Sequence, residues 1–175
     1  IRQYKWIDNL ALRLSYGLQG NIDKGTSPFL VGKYDNVNIL PGYSEENIII
    51  NSAPNSKLRW EKTASYNLGI DFSVLNQAIN LSVDYYYRKG TDLIGSKALA
   101  LENGFTNMSI NWASMENKGV EINLQTRNIT TKNFSWYTTF NFAYNQNKVL
   151  KVLTDKSQVT PSLEGYPVGA IFALK

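Results

Sequence analysis

The sequence lacks both cysteine and histidine, and these absences remove several classes of protein from consideration. Without cysteine there can be no disulfide framework, no thiolate nucleophile and no cysteine-ligated metal. Without histidine the chain has neither the usual general base nor the commonest metal ligand. The sequence also contains no phosphate-binding glycine motif and no cluster of metal ligands. We therefore predict no catalytic residues, no cofactor and no metal site, so the protein is not expected to be an enzyme.

Charged residues and long apolar runs are also scarce. Only 18% of residues are charged, against roughly 25% in a typical soluble domain. The net charge is +4, but lysine and arginine are scattered, so we predict no nucleic-acid partner. No apolar run of about 18 residues is present, which excludes a transmembrane helix. The sequence starts without a signal peptide and stops within an apparent strand, so we expect residues 1–175 to be part of a longer protein.

The clearest pattern that is present runs over residues 58–74. Eight of its nine even-numbered positions are apolar, and no odd-numbered position carries a large apolar side chain. Alternate side chains of a strand point to opposite faces, so this segment is one long strand with an apolar face and a polar face. Strands of soluble domains usually have about 3–10 residues, whereas a barrel strand crosses a membrane with roughly 9–11 tilted residues. The length favours a membrane-spanning barrel strand.

The same alternation recurs along the chain. It predicts strands over residues 6–19, 58–74, 79–88, 117–127 and 134–145, with a sixth strand starting at Val168. Long loops are expected at 20–57, 89–116 and 146–167, and short connections at 75–78 and 128–133. Outer-membrane barrels have short turns at one end and long loops at the other, which matches this order. The predicted fold is all-β: about six antiparallel strands of a larger transmembrane β-barrel.

The two faces of the predicted strands have different roles. We expect one face to meet outer-membrane lipid and to include Leu68, Ile70, Leu81, Val83, Phe140 and Phe142. The other face is expected to line the lumen and to include Glu61, Asn67, Asp84, Arg88, Glu121, Asn123 and Asn141.

Aromatic residues are expected to form bands near the two membrane surfaces. The predicted members near the short turns are Trp6, Phe72, Phe134 and Trp136, and those near the long loops are Trp60, Tyr87 and Tyr144. Leu68 is then expected near mid-bilayer. The run Tyr85–Tyr86–Tyr87 could instead be a sugar-stacking platform, but alternation directs Tyr86 away from its two neighbours.

Several motifs resemble one family, the SusC-like TonB-dependent outer-membrane transporters of the Bacteroidetes type. In order, the motifs are LRWEKT at 58–63 with NLGIDF at 67–72, VDYYYRK at 83–89 with TDLI at 91–94, MENKGVE at 115–121, FSW at 134–136, NQNKV at 145–149 and GYPVG at 165–169. The resemblance covers residue 52 to the end, and residues 1–51 match more loosely. Each motif alone is weak, but their order is specific.

The resemblance implies a location in the bacterial outer membrane and a 22-stranded barrel with an N-terminal plug. It also implies energy supply through the TonB complex and a SusD-like surface lipoprotein that helps capture an oligosaccharide or a peptide. Residues 1–175 would then be a partial barrel domain, without the plug and the remaining strands. The motifs are architectural and identify no substrate-binding residue.

Two other classes of protein remain open at this point. One is a soluble extracellular β-sandwich that binds carbohydrate through surface aromatics. The other is a passive porin-like or adhesin barrel without energy coupling. Carboxylates at Glu61, Asp71, Asp84 and Glu121 could serve glycoside hydrolysis, but nothing in the sequence brings two of them to catalytic spacing.

Overall fold

The computed structural model of the protein describes residues 6–50, 52–153 and 162–173. The strands are β1 (Ile7–Asn21), β2 (Gly32–Leu40), β3 (Tyr43–Ile50), β4 (Glu61–Val74), β5 (Ile79–Ala98), β6 (Asn107–Thr130) and β7 (Ser135–Lys151). One turn of 3-10 helix, Leu101–Asn103, lies between β5 and β6. The chain is therefore all-β, as the alternation predicts.

Five of the strands form one antiparallel sheet in the order β1-β4-β5-β6-β7, and β2 and β3 form a separate hairpin. The sheet is a single layer. Among the described residues only Val74 and Val149 are buried hydrophobics, while Leu14 on the apolar face is 80% exposed. A β-sandwich would bury such a face against a second sheet. The structure therefore does not favour the sandwich alternative.

The pairing register places equivalent positions of all five strands in straight rows. One apolar row consists of Leu12, Ile70, Val83, Ile122 and Phe142. The next polar row consists of Arg13, Gly69, Asp84, Glu121 and Ala143. Because no shift in register occurs across these rows, each strand keeps its apolar residues on the same side. The two faces predicted from alternation are thus confirmed.

Aromatic side chains on the apolar face form two bands. Tyr16, Tyr66 and Tyr87 lie in one row, with ring centroids 4.9 and 6.1 Å apart. At the short-turn end Trp6 packs edge-on against Phe72 at 6.4 Å, and Trp136 lies beyond Phe72. Trp60 lies directly before β4, at the end of the sheet with the long connections, as predicted. Its ring lies against Gly20, where an added Cβ would be 3.0 Å from the ring.

Strand boundaries differ from the sequence prediction at several places. The predicted long loop 20–57 contains the β2–β3 hairpin. The predicted long loop 89–116 is wrong, since β5 and β6 continue as paired strands and leave a connection of residues 99–106. The register shifts between Gly90, Leu93 and Ile94, and this bulge breaks the alternation that would have revealed the strands. Likewise β4 begins at Glu61 rather than at residue 58, and β7 extends to Lys151.

The predicted sixth strand is also not found. Residues 168–173 contain no strand in the described part of the chain. Instead, the Gly165–Tyr166 backbone pairs with Val149 on the free edge of β7, through bonds of 2.8 and 2.9 Å. Val168 donates its backbone N–H to the Asn147 side chain at 2.7 Å.

The short connection at 75–78 is confirmed, but its conformation is unusual. Leu75, Asn76 and Gln77 have φ angles of 56°, 58° and 60°, a left-handed conformation that costs free energy in residues other than glycine. Side chains from two other strands hold the turn. Asp8 accepts the Gln77 N–H at 2.8 Å, and Arg127 donates to the Asn76 carbonyl at 2.9 Å.

The polar face depends on glycine at Gly119, which lies beneath the Tyr86 ring. A Cβ at this position would be 2.5 Å from the Tyr86 hydroxyl and 2.6 Å from the Tyr144 carbonyl oxygen. We expect Gly119→Ala to destabilise the intact protein by about 1–3 kcal/mol, because the strand backbone cannot move away from the new methyl group. Denaturant unfolding measures the change.

Gly17→Ala is the matched control, since a Cβ there meets no atom within 4 Å. It is expected to change stability by less than about 0.5 kcal/mol. Adding Tyr86→Ala to Gly119→Ala should restore only part of the loss, because the clash with the Tyr144 carbonyl remains. Equal stability of the two alanine variants would contradict this account of Gly119.

Candidate functional site on the polar face of the sheet

The centre of the polar face is an ion-pair network around Arg13. Its guanidinium donates to Asp71 at 2.8 and 3.1 Å and to Asp84 at 3.1 Å. The Ser82 hydroxyl lies between the two carboxylates and donates to Asp71 at 2.8 Å. The network joins side chains from β1, β4 and β5. The alternation of residues 6–19 puts Arg13 on the polar side of its strand, but these partners could not be identified from the sequence.

The network is possible because Gly69 has no side chain. Gly69 lies directly between Arg13 and Asp84 in the row across the sheet. A Cβ at Gly69 would be 2.5 Å from the Asp84 carboxylate and 2.8 Å from the Arg13 guanidinium carbon. The glycine of the NLGIDF motif therefore lets an arginine on β1 reach across β4 to an acid on β5. A glycine inside a strand often marks a place where another group approaches the backbone closely, so Gly69 is the feature of the sequence that could have indicated this contact.

Two of the four carboxylates considered for catalysis are thus brought together, Asp71 and Asp84. Both accept hydrogen bonds from the same arginine, which leaves neither arranged as a free general acid or base. Glu121 is the neighbour of Asp84 on β6 and forms no ion pair with any described residue. The described residues contain no group of acids that could hold a metal ion.

The other predicted luminal residues share this face. Asn67 donates to the Ser15 hydroxyl at 3.0 Å, and Asn123 pairs with Asn141. Tyr86 lies on the polar face, opposite to Tyr85 and Tyr87, as alternation predicted. The Arg88 guanidinium lies 5.6 Å from the Tyr86 ring centroid. The Tyr86 ring therefore packs between Gly119 and Arg88. Because it lies on the opposite face from Tyr85 and Tyr87, the three rings do not form a single stacking platform.

Glu61 is the exception among the predicted luminal residues, because it lies at the loop end of β4. It accepts the backbone N–H of Ile94 at 2.9 Å and a hydrogen bond from Asn21 at 3.0 Å. It therefore connects β1, β4 and the extended part of β5, away from the Arg13 network.

A second polar cluster, which we call the loop clamp, consists of Arg59, Lys62, Asp92 and Asn111. Arg59 and Lys62 both pair with the Asp92 carboxylate. The Asn111 side chain accepts the Arg59 N–H at 2.8 Å and donates to the Arg59 and Asp92 carbonyls at 2.7 and 2.6 Å. The clamp fixes the end of the long connection against the β5–β6 hairpin. The clamp is not evident from the sequence, because Asp92 lies in the bulge between Gly90 and Leu93.

The comparisons with known proteins agree with this geometry. The β-barrel model of the TonB dependent receptor-like family matches residues 3–171. "TonB-dependent receptor P39" of Formosa agariphila is 33% identical over 97% of this chain and 16% of its own length. "TonB-dependent receptor SusC" of Bacteroides thetaiotaomicron is 32% identical over 83% of this chain and 15% of its own length.

Solved structures show the same similarity. The structure titled "Structure of the RagAB peptide importer in the 'closed-closed' state" superposes with a TM-score of 0.74 at 26% identity, covering 95% of this chain and 19% of that one. "Structure of the RagAB peptide transporter" superposes with a TM-score of 0.69 at 27% identity, covering 86% and 16%. This chain thus spans about one sixth of the relatives that it matches.

A single-layer antiparallel sheet with one apolar and one polar face defines a segment of an outer-membrane barrel wall. The match over residues 3–171 then gives the family: the chain belongs to the TonB dependent receptor-like β-barrel family. Its relatives are receptors and transporters of the outer membrane rather than enzymes. Among the described residues, no helix has the length and apolar character needed to cross a membrane.

The two aromatic bands show how the wall lies in the membrane. Gln146 lies in the same row as Tyr66 and Tyr87, and Trp136 lies ten residues earlier on β7. At ~3.3 Å per residue and a tilt of ~35–45°, ten residues cover roughly 23–27 Å, close to the ~25 Å apolar band of such barrels. Leu68 is two residues from Tyr66 on β4, whereas Ile122 is four residues from Lys118, the neighbour of Tyr87, on β6. Measured along their own strands, we expect Ile122 to lie deeper than Leu68.

The depth assignment predicts a graded cost for arginine on the apolar face. We expect Ile122→Arg, near the middle, to cost about 2–4 kcal/mol of folding free energy in lipid. Leu68→Arg should cost less, because arginine there reaches the membrane surface more easily. Reversible unfolding of the intact barrel in lipid vesicles measures both. Gln125→Arg, on the polar face, is the control and should cost little. A larger cost at Leu68 than at Ile122 would reject the assigned depth.

The loop clamp predicts a pH dependence. A hydrogen bond from Arg59 is the main cause that holds the pKa of the Asp92 carboxyl below its usual value, with Lys62 adding to it. A lowered pKa in the folded state stabilises the clamp above the unfolded value of about 3.9, and that stability is lost as the pH falls through the folded pKa. Hydrogen exchange at the Arg59 amide should therefore accelerate, relative to the Val83 amide, as the pH falls below about 4.

Asp92→Asn is the control for this effect, since asparagine also tolerates the left-handed backbone at this position (φ 57°). In this variant the Arg59 amide should be less protected at neutral pH and should show no step in acid. The same acid step in both proteins would mean that another group controls the loop.

Proposed function

We propose that this chain is part of the barrel wall of a TonB-dependent importer that takes up an oligosaccharide or a peptide. The observation that supports it is the single-layer sheet, with an apolar outer band of membrane height and an inner face of charged and amide side chains. An inner face of this kind suits a wide, water-filled lumen through which a polar solute passes. The relatives support active transport, since they are named TonB-dependent receptors.

In this proposal the remaining parts of the transporter lie outside residues 1–175. The plug domain, the other strands of the barrel and the TonB-contacting segment belong to the rest of the polypeptide. A SusD-like surface lipoprotein is the proposed partner at the extracellular mouth. The solved neighbours support a two-component importer, because they are structures of the RagAB peptide importer. They favour a peptide as substrate, whereas the motif resemblance allows an oligosaccharide equally.

Uptake by intact cells tests the proposal. A strain that carries the full-length gene should accumulate labelled oligosaccharides or peptides, and a deletion strain should lose that uptake. Depleting TonB should abolish uptake to the level of the deletion strain, because an energised importer depends on the TonB complex. Uptake that survives TonB depletion would reject the proposal and identify a passive pore. Recovery of the protein in the soluble extracellular fraction would reject any barrel.

A further inference from the structure

Three lysines and one glutamate form a cluster on the outward, lipid-facing side of the sheet. Lys89 on β5, Glu116 on β6 and Lys148 on β7 are direct neighbours in one row. Lys118 lies one row below, between Tyr87 and Gln146. Side chains of direct cross-strand neighbours have Cβ atoms about 4.5–5.5 Å apart, so four charges share a small area. The net charge of this lysine cluster is +2.

Within the described residues, none of the three lysines of the cluster forms an ion pair. Glu116 accepts a hydrogen bond from the Tyr87 hydroxyl at 3.1 Å, which directs one carboxylate oxygen toward the tyrosine row. Lys62 is on the same side of the sheet but pairs with Asp92, so it is not counted as a member.

The position of the lysine cluster matches a membrane surface. It begins at the row of Tyr16, Tyr66 and Tyr87 and continues one row toward the long connections. This end of a barrel is extracellular, so the lysines lie at the level of the headgroups of the outer leaflet. Lysine ammonium groups bind phosphate as strongly hydrated point charges, and each can donate three hydrogen bonds.

We propose that the lysine cluster is a binding site for the phosphate of a lipid headgroup in the outer leaflet. The apolar rows below it, including Tyr85, Val120 and Tyr144, would contact the acyl chains of the same lipid. Three lysines that form no ion pair among the described residues complement an anionic headgroup, and the cluster is continuous with the lipid-facing rows. These two features select a lipid over a soluble anion. The proposal rests on the membrane placement of the sheet and not on transport.

Lipid binding by the purified full-length protein in detergent tests the site. The probes are phosphorylated lipid A and the same lipid after enzymatic removal of its phosphate, with bound lipid counted by native mass spectrometry. We expect Lys89→Gln/Lys118→Gln/Lys148→Gln to bind phosphorylated lipid A at least about tenfold more weakly than the natural protein, since each lysine contributes to attraction of an anionic headgroup. Binding of the dephosphorylated lipid should be weak and equal in both proteins.

Two further variants keep the test decisive. Lys24→Gln/Lys33→Gln/Lys97→Gln removes the same charge at the loop end but outside the cluster, and it should bind as the natural protein does. Glu116→Gln keeps the acceptor for Tyr87, removes the one negative charge and should bind several-fold more tightly. This variant reports on the site even where the triple variant fails to fold.

Three results would overturn the proposal. The first is equal binding by the natural protein and both triple variants, and the second is weaker or unchanged binding by Glu116→Gln. The third is full competition by inorganic phosphate alone, which would assign the site to a free anion. The lipid measurement does not depend on uptake. A protein that fails to import could still bind the lipid, and a protein that fails to bind the lipid could still import.

Discussion

The structure depends on antiparallel backbone pairing that keeps the same register across five strands. Side chains alternate with a period of two, so a shift of one residue in any strand would place its apolar residues in the lumen. The rows from Leu12 to Phe142 and from Arg13 to Ala143 show that no such shift occurs in the central part of the sheet. The separation of a lipid face from a water face follows from this register, with almost no buried core to support it.

Glycines give the polar face its specific contacts. Gly69 allows Arg13 to reach Asp84, and Gly119 allows the Tyr86 ring to lie on the strand next to it. Glycine usually weakens a strand, because it adds backbone entropy to the unfolded chain and packs no side chain. Here each glycine is compensated by a side chain from the neighbouring strand, which fills the space and fixes the pairing. The lumen wall is therefore ordered by polar contacts rather than by apolar packing.

Sequence alone predicted the central wall well, because alternation is a local signal that survives without any knowledge of neighbours. The two faces, the short turn at 75–78 and the opposite direction of Tyr86 all follow from it. The extension of β5 and β6 was missed because the bulge at Asp92 interrupts the period of two. Partners such as Arg13 with Asp84, or Arg59 with Asp92, could not be predicted. They depend on which strands become neighbours and in which register, and a single sequence does not state either.

The Arg13 network also bears on the order in which the sheet can assemble. In an isolated β4–β5 hairpin, Asp71 and Asp84 would lie near each other with no cation between them. Like charges on neighbouring strands oppose pairing. The docking of β1 brings the guanidinium over Gly69 and converts this repulsion into attraction. The stabilising ion pairs therefore form only when β1 joins β4 and β5. The three strands are thus a cooperative unit, and the β4–β5 pair alone is less stable.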